Sequence, residues 1–297
     1  MEINLVCEGG GVRGIAHVGA ICALEELGYT FKSFAGTSVG AFVTSLMAAG
    51  YSGEELKDII FSTDFNIYIH KTILSTLPLI GKNLSIIKSK GIFSTSAIEK
   101  LLDDLYLAKG KKYLKDICID NYFKCIATDI TKKQLLILPE DLSKYDIDWM
   151  NLPISKAVKM SISLPLIFIP EKLKTPNGNC YIIDGGVMSN FPIWLFDNSK
   201  DETPTFGLKL TADNYKTTYE DKYPLSNYLL DIIDLAIDNN DSIYFNNNSK
   251  FHIINIPTLN IGITDFSISL EDKKRLFKSG YNSIVNYFKN SSKVKYI

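Results

Sequence analysis

The sequence predicts an α/β protein built on a parallel sheet with crossover helices, and three observations carry that expectation. A short apolar run, Ile3 to Cys7, leads directly into a glycine-rich loop. A second, around Ser33 to Thr37, leads into Gly36-Thr37-Ser38-Val39-Gly40. Strand-like and helix-like segments then alternate with short loops between them, the order that places parallel strands side by side.

The first run reads as a buried strand. After the loop "CEGGGVRG" a helix is predicted from about Ile15 to Leu27, with Ile15, Val18, Ile21, Cys22 and Leu24 on its apolar side and Gly28 as its stop. The small-residue run from Val39 to Ala49 predicts a tightly packed helix ending at Gly50. Residues 66 to 92 mix apolar residues such as Leu79 and Ile80 with Lys71, Lys82, Lys88 and Lys90, interrupted by Pro78 and Gly81. Such a segment fits a cap packed on the core, or a lid that controls access to the site and touches lipid. "FSTSAIEKLLDDLY" predicts a helix capped by Ser94 or Ser96, and "FKCIATDI" with "KQLLILP" a hairpin turned at Thr131 to Lys133. "CYIIDGGV", "TFGLKL" and "FHIINIP" supply further strands, helices are expected around 226 to 238 and 271 to 288, and the Asn-rich stretch 238 to 250 is expected as a helix end and surface loop. No linker divides the 297 residues, so a single domain is expected.

Composition narrows the class. A net charge of -1 gives no global attraction to nucleic acid, while leaving room for a local membrane-facing patch. No basic leader and no stretch of roughly 18 apolar residues is present, which leads us to expect a soluble cytoplasmic protein. The five cysteines, Cys7, Cys22, Cys118, Cys125 and Cys180, are odd in number, widely spaced and without a C-x-x-C pair. They are expected as buried free thiols, and no metal site or cofactor is predicted. Histidine is scarce: His17, expected as a packing residue, His70 and His252.

Gly9, Gly11 and Gly14 fit the G-x-G-x-x-G spacing of a dinucleotide-binding turn. The bare amides of such a loop bind any negative charge, a pyrophosphate or the oxyanion of an attacked carbonyl. The tip of the second strand distinguishes the two. A dinucleotide site needs an acidic residue there for the ribose; this chain has Ser38 inside a G-x-S-x-G elbow formed by Gly36, Thr37, Val39 and Gly40. One such pentapeptide is weak, but a strand-to-helix turn is where an elbow has to be. A base is also needed. Asp184, at the end of an apolar strand and followed by Gly185 and Gly186, is one candidate, although Asp-Gly is also an ordinary turn signal; His252 is the other.

The blocks "EGGGVRGIAHVGAICALEELG", "FAGTSVGA", "KGIFS", "CIATDITKKQLLIL", "KMSISLPLIFIP" and "YIIDGGVMSNFPI" together resemble the patatin-like phospholipase family, or lipid acyl hydrolases, over about residues 3 to 195. One departure is Thr131-Lys132-Lys133, where the family often has Thr-Gly-Glu. The resemblance implies a three-layer α/β/α fold with a mainly parallel central sheet, which residues 196 to 297 complete. It implies a Ser38/Asp184 dyad, with the loop Gly9, Gly10, Gly11, Val12, Arg13 and Gly14 as oxyanion hole and Gly10 and Gly11 as its leading donors. Arg13 can assist with lipid phosphate, serve the helix terminus or lie at the surface. The implied reaction is metal-free cleavage of acyl esters, of phospholipase A or lysophospholipase type, on membrane phospholipid with peripheral membrane contact. No residue identifies a regulatory ligand or partner. Two rivals remain: a Ser/His/Asp esterase using His252, against which stand its strand-like setting and the early elbow, and a nucleotide-binding module, which lacks the acidic ribose ligand.

Overall fold

A computed structural model describes residues 1–68, 70–71, 89–118, 123–197, 202–212, 235 and 250–294. Most of the segment expected as a cap or lid, most of the helix expected at 226 to 238 and most of the Asn-rich stretch lie outside the described residues.

The strands are β1 (Glu2–Cys7), β2 (Thr30–Thr37), β3 (His70–Lys71), β4 (Gly91–Ser94), β5 (Phe123–Asp129), β6 (Gln134–Leu138), β7 (Leu166–Phe168), β8 (Glu171–Thr175), β9 (Gly178–Asp184), β10 (Thr205–Thr211) and β11 (Phe251–Pro257). The helices are α1 (Ile15–Glu26), α2 (Val39–Ala48), α3 (Gly53–Ser62), α4 (Ser96–Ala108), α5 (Lys115–Cys118), α6 (Ile154–Ser161) and α7 (Leu270–Val294). The central sheet has the order β11-β10-β1-β2-β5-β9-β8, with β6 also on β5, and the small sheet the order β3-β4-β7. From β11 to β5 every pairing is parallel, as the alternation of elements predicts. Beyond that the sheet turns antiparallel: β5 and β6 form the expected hairpin, and β9 pairs with both β5 and β8.

Register places two strand ends together. β6 pairs with β5 from Cys125 to Asp129 and so occupies one of its edges. The other edge is shared. β2 runs beside Phe123 to Ile126, and β9, in the opposite direction, runs beside Ala127 to Asp129. Thr37 therefore ends β2 opposite Ile126 while Asp184 ends β9 opposite Ala127, one residue further along, or roughly 3.3 Å. The two strands meet head to head.

Alternation along the strands divides the core. Leu5, Cys7 and Phe34 join a large cluster with α1, α2 and α7, whereas Val6 and Ala35 face the opposite side and pack on Phe191, Ile193 and Phe196. Helix α1 is buried on every side from Ile15 to Leu24, because α7 packs closely along it and α3 adds a second neighbour. The sequence periodicity indicates only one apolar side. The α1–α7 contact is close enough that a Cβ on Gly19 would sit 1.9 Å from the Phe277 carbonyl oxygen, and one on Gly280 1.8 Å from that of Ala16. Helix α3, which the apolar pattern did not single out, begins with a capping box between Ser52 and Glu55. Among the described residues no helix is long and apolar enough to cross a membrane. All five cysteines are free and buried, as expected.

Candidate active site

Ser38 stands between β2 and α2 with φ 53° and ψ −124°, a conformation that costs a side-chain-bearing residue on the order of 1–3 kcal/mol. Close packing holds it there. A Cβ on Gly36 would lie 2.4 Å from the Gly40 carbonyl carbon, and one on Gly40 2.1 Å from the Cys7 carbonyl oxygen, so only glycines let the helix start directly over the strand ends. Polar contacts add to this. The Ser38 N–H donates to Ser161 Oγ at 2.9 Å, and that hydroxyl donates to the Ile126 carbonyl at 2.6 Å. Thr37 Oγ1 donates to the Ser189 carbonyl at 2.9 Å.

Asp184 is fully buried. Its Oδ1 accepts from the Gly186 N–H at 2.8 Å, and its own N–H donates to the Ser163 carbonyl at 2.9 Å. Oδ2 makes no hydrogen bond of normal geometry, yet the Ser38 side chain acts on the carboxyl closely enough to favour its charged form. Burial outweighs that help and the Gly186 amide, raising the pKa from 3.8 to about 7. The group is therefore poised to exchange a proton near neutrality.

The glycine loop passes close to Ser38: a Cβ on Gly9 would be 3.2 Å from that of Ser38. Three of its amides are already engaged, Gly9 with the Asn190 carbonyl at 3.0 Å, Val12 with that of Ile263 at 3.1 Å and Arg13 with that of Gly10 at 3.1 Å. Gly10 and Gly11 donate to no backbone carbonyl outside regular elements among the described residues. Gly11 has φ 55° and lies so close to Ile263 that a Cβ would stand 2.1 Å from its carbonyl oxygen. Gly14 sits against Val39, and Arg13 is buried, not presented at the surface. Asn190 is buried beside the loop, with its Nδ2 donating to the Gly9 carbonyl at 3.3 Å and its Oδ1 unpartnered.

A cavity of about 150 Å³ opens from these groups, lined by Gly11 and Ser38 and then by apolar side chains that include Phe42, Ile98, Phe168 and Phe266. It suits a hydrocarbon chain far better than a nucleotide. Among the described residues no three His, Cys, Asp or Glu side chains are gathered as a metal centre requires.

His252 is elsewhere. It pairs in register with Phe206 and so sits two residues below Ile254, the residue level with the end of β1. Its ring stacks on Phe206 at 4.8 Å and its Nδ1 lies 2.8 Å from the Tyr287 hydroxyl, among aromatic side chains. His17 is buried on α1 with Nε2 2.8 Å from the Glu8 carbonyl, the packing role expected of it. Sequence reasoning missed Ser161, Asn190, Ile263 and Phe266. Ser161 and Asn190 lie inside blocks already singled out, but nothing local distinguishes them from their neighbours; Ile263 and Phe266 carry no signal.

A strained serine at a strand-to-helix turn, next to a buried carboxyl and above an apolar cavity, defines the class of α/β proteins with a nucleophile elbow. The comparison with known proteins is more specific: a patatin-like phospholipase profile matches residues 5–197, and the chain belongs to that family. It is 34% identical over 284 residues to the uncharacterized protein YqhO of Bacillus subtilis, covering 94% of this chain and 96% of the relative. It is 27% identical to the probable lipid hydrolase 463L of Invertebrate iridescent virus 6, covering 85% of each. Among solved structures, VipD of Legionella pneumophila superposes with a TM-score of 0.58 at 19% identity, covering 97% of this chain and 67% of that one, which shows a shared fold. The protein is a hydrolase of the lipid acyl class.

Proposed function

We propose that this protein cleaves fatty-acyl esters of phospholipids or lysophospholipids at a membrane surface, reached from the cytoplasm, with Ser38 as nucleophile and Asp184 as general base. The observation that carries the reading is the meeting of β2 and β9 on one edge of β5, which brings the Ser38 turn to a buried carboxyl with a pKa of about 7. Ser38 Oγ attacks the ester carbonyl carbon as its proton passes to Asp184. The carbonyl electron pair moves onto oxygen, which takes hydrogen bonds from the Gly10 and Gly11 amides, which donate to no backbone carbonyl outside regular elements among the described residues. Collapse re-forms the carbonyl and breaks the ester C–O bond. The departing alcohol takes the proton from Asp184 and leaves an acyl ester on Ser38. Water then attacks that ester, giving a proton to Asp184; as the acyl–Oγ bond breaks, Oγ takes that proton back from Asp184, which releases the fatty acid and restores Ser38 and the carboxylate. The apolar cavity receives the acyl chain.

The test is hydrolysis of phosphatidylcholine and lysophosphatidylcholine vesicles by the wild type and three variants. Ser38→Ala and Asp184→Asn should each lose at least about a thousandfold in kcat while remaining folded, and His252→Ala should keep most activity. A dead, stable His252 variant alongside an active Asp184 variant would refute the dyad.

A further inference from the structure

The chain beyond residue 257 supplies part of the cavity, although it lies outside the family match. Resting on the acyl-ester reading above, we propose that residues 258–269 hold Phe266 as a fixed wall of the acyl cavity and that Phe266 sets the length of acyl chain accepted.

The segment is tied along its whole course. It leaves β11 through a turn closed by the Ile261 N–H donating to the Thr258 carbonyl at 3.1 Å, with Leu259 at φ 56° and Asn260 at φ 61° as the two central residues of a type I′ turn. Ile263 then gives its carbonyl to Val12 of the glycine loop and buries its side chain with Leu164, Ile167 and Phe168. Gly262 donates to Asp265 Oδ2 at 2.7 Å, closing a local loop that projects Phe266. The Phe266 ring meets Phe168 edge-on at 6.3 Å and both line the cavity. Ser267 Oγ donates to Asn66 Oδ1 at 2.9 Å, reaching the segment that carries Phe65, another lining residue. At the start of α7, the nearly buried Lys273 donates to the Ile60 carbonyl at 3.0 Å and to that of Thr63, joining the end of α3.

A segment anchored on both sides of an aromatic residue cannot readily collapse into the space left when that residue is trimmed. An apolar cavity of about 150 Å³ holds one benzene-sized group, so removing a phenyl ring adds room comparable with what is already there. Chain-length preference should follow the size of residue 266.

Two readouts test this in the full-length protein. The first is kcat/KM for p-nitrophenyl esters from butanoate to hexadecanoate. The second is affinity for free straight-chain fatty acids over the same lengths, which needs no chemistry at Ser38. Phe266→Ala and Phe266→Leu should shift both profiles toward longer chains, and Phe266→Trp toward shorter ones, with the long-to-short ratio moving by about tenfold. If the alanine variant fails to fold, the leucine and tryptophan variants decide. Profiles that move together in height but not in shape, or not at all, would overturn the proposal. Shifted fatty-acid affinities in a protein that hydrolyses no ester would uphold the wall and remove the reaction assigned to Ser38.

Discussion

Replacing Asp184 by Asn should stabilise the protein above neutral pH while destroying its activity. In the fold the carboxyl titrates at about 7, against 3.8 in the open chain. Between those values the folded protein holds a proton that the unfolded chain has released. Stability from this group is therefore fully present below about pH 4 and is lost as pH rises through 7. At about 1.36 kcal/mol for each decade of proton affinity, ionised Asp184 costs about 4 kcal/mol. Asn keeps the shape and can still accept from the Gly186 amide, but it never ionises. His17 has the opposite sign: burial lowers its pKa to about 4, so its contribution is present above 6.5 and lost as pH falls through 4. The two slopes oppose each other between about pH 4 and 6.5 in the wild type, and the variant should show the acid loss of His17 uncovered. Urea titrations of both proteins from pH 4.5 to 8.5, supported by melting temperatures, read the difference. The advantage of Asp184→Asn should grow with pH to about 4 kcal/mol, or roughly 8 °C at a size near this one. Parallel stability curves would refute the claim that the fold holds a costly carboxylate.

Two further outcomes follow from contacts around the site. Ser161→Ala removes the hydroxyl that links the Ser38 amide to the Ile126 carbonyl, so kcat should fall by about tenfold with KM nearly unchanged; a loss confined to KM would assign Ser161 to substrate binding instead. The five cysteines are buried, with burial pushing Cys22 and Cys118 up to about 12 and Cys7 and Cys125 further, so the native protein should react slowly with a thiol-specific disulfide reagent and all five should react after unfolding. Rapid titration of the native protein would contradict this.

What the sequence reveals here is chemistry that resides in contiguous residues. The glycine loop, the elbow at Ser38 and the Asp-Gly-Gly turn at Asp184 are local, because each needs particular backbone freedom within a few positions. Their meeting is not local. It depends on β9 running antiparallel into the edge of β5 that β2 vacates, a pairing between residues more than fifty positions apart that leaves no periodic trace. Ser161 acts through one hydroxyl aimed at a distant amide, and any serine in "KMSISLP" looks the same in sequence. The burial of α1 on all sides depends on α7 and α3, so a period count of its apolar residues misses the faces that these helices cover. Phe266 is legible only once the chain has returned from β11 to the cavity. The placement of His252, by contrast, is legible in the sequence: a histidine within "FHIINIP" reads as part of a strand, and the strand carries it toward Phe206 and Tyr287.

The most direct test is covalent. A fluorophosphonate probe loses fluoride to an activated serine, and intact mass with peptide mapping locates the new Oγ–P bond. The account predicts one adduct, on Ser38, formed faster as pH rises through about 7, absent from Ser38→Ala and much slower in Asp184→Asn. No adduct on the folded wild type, or an adduct on Ser161 or Ser189 with Ser38 untouched, would contradict it.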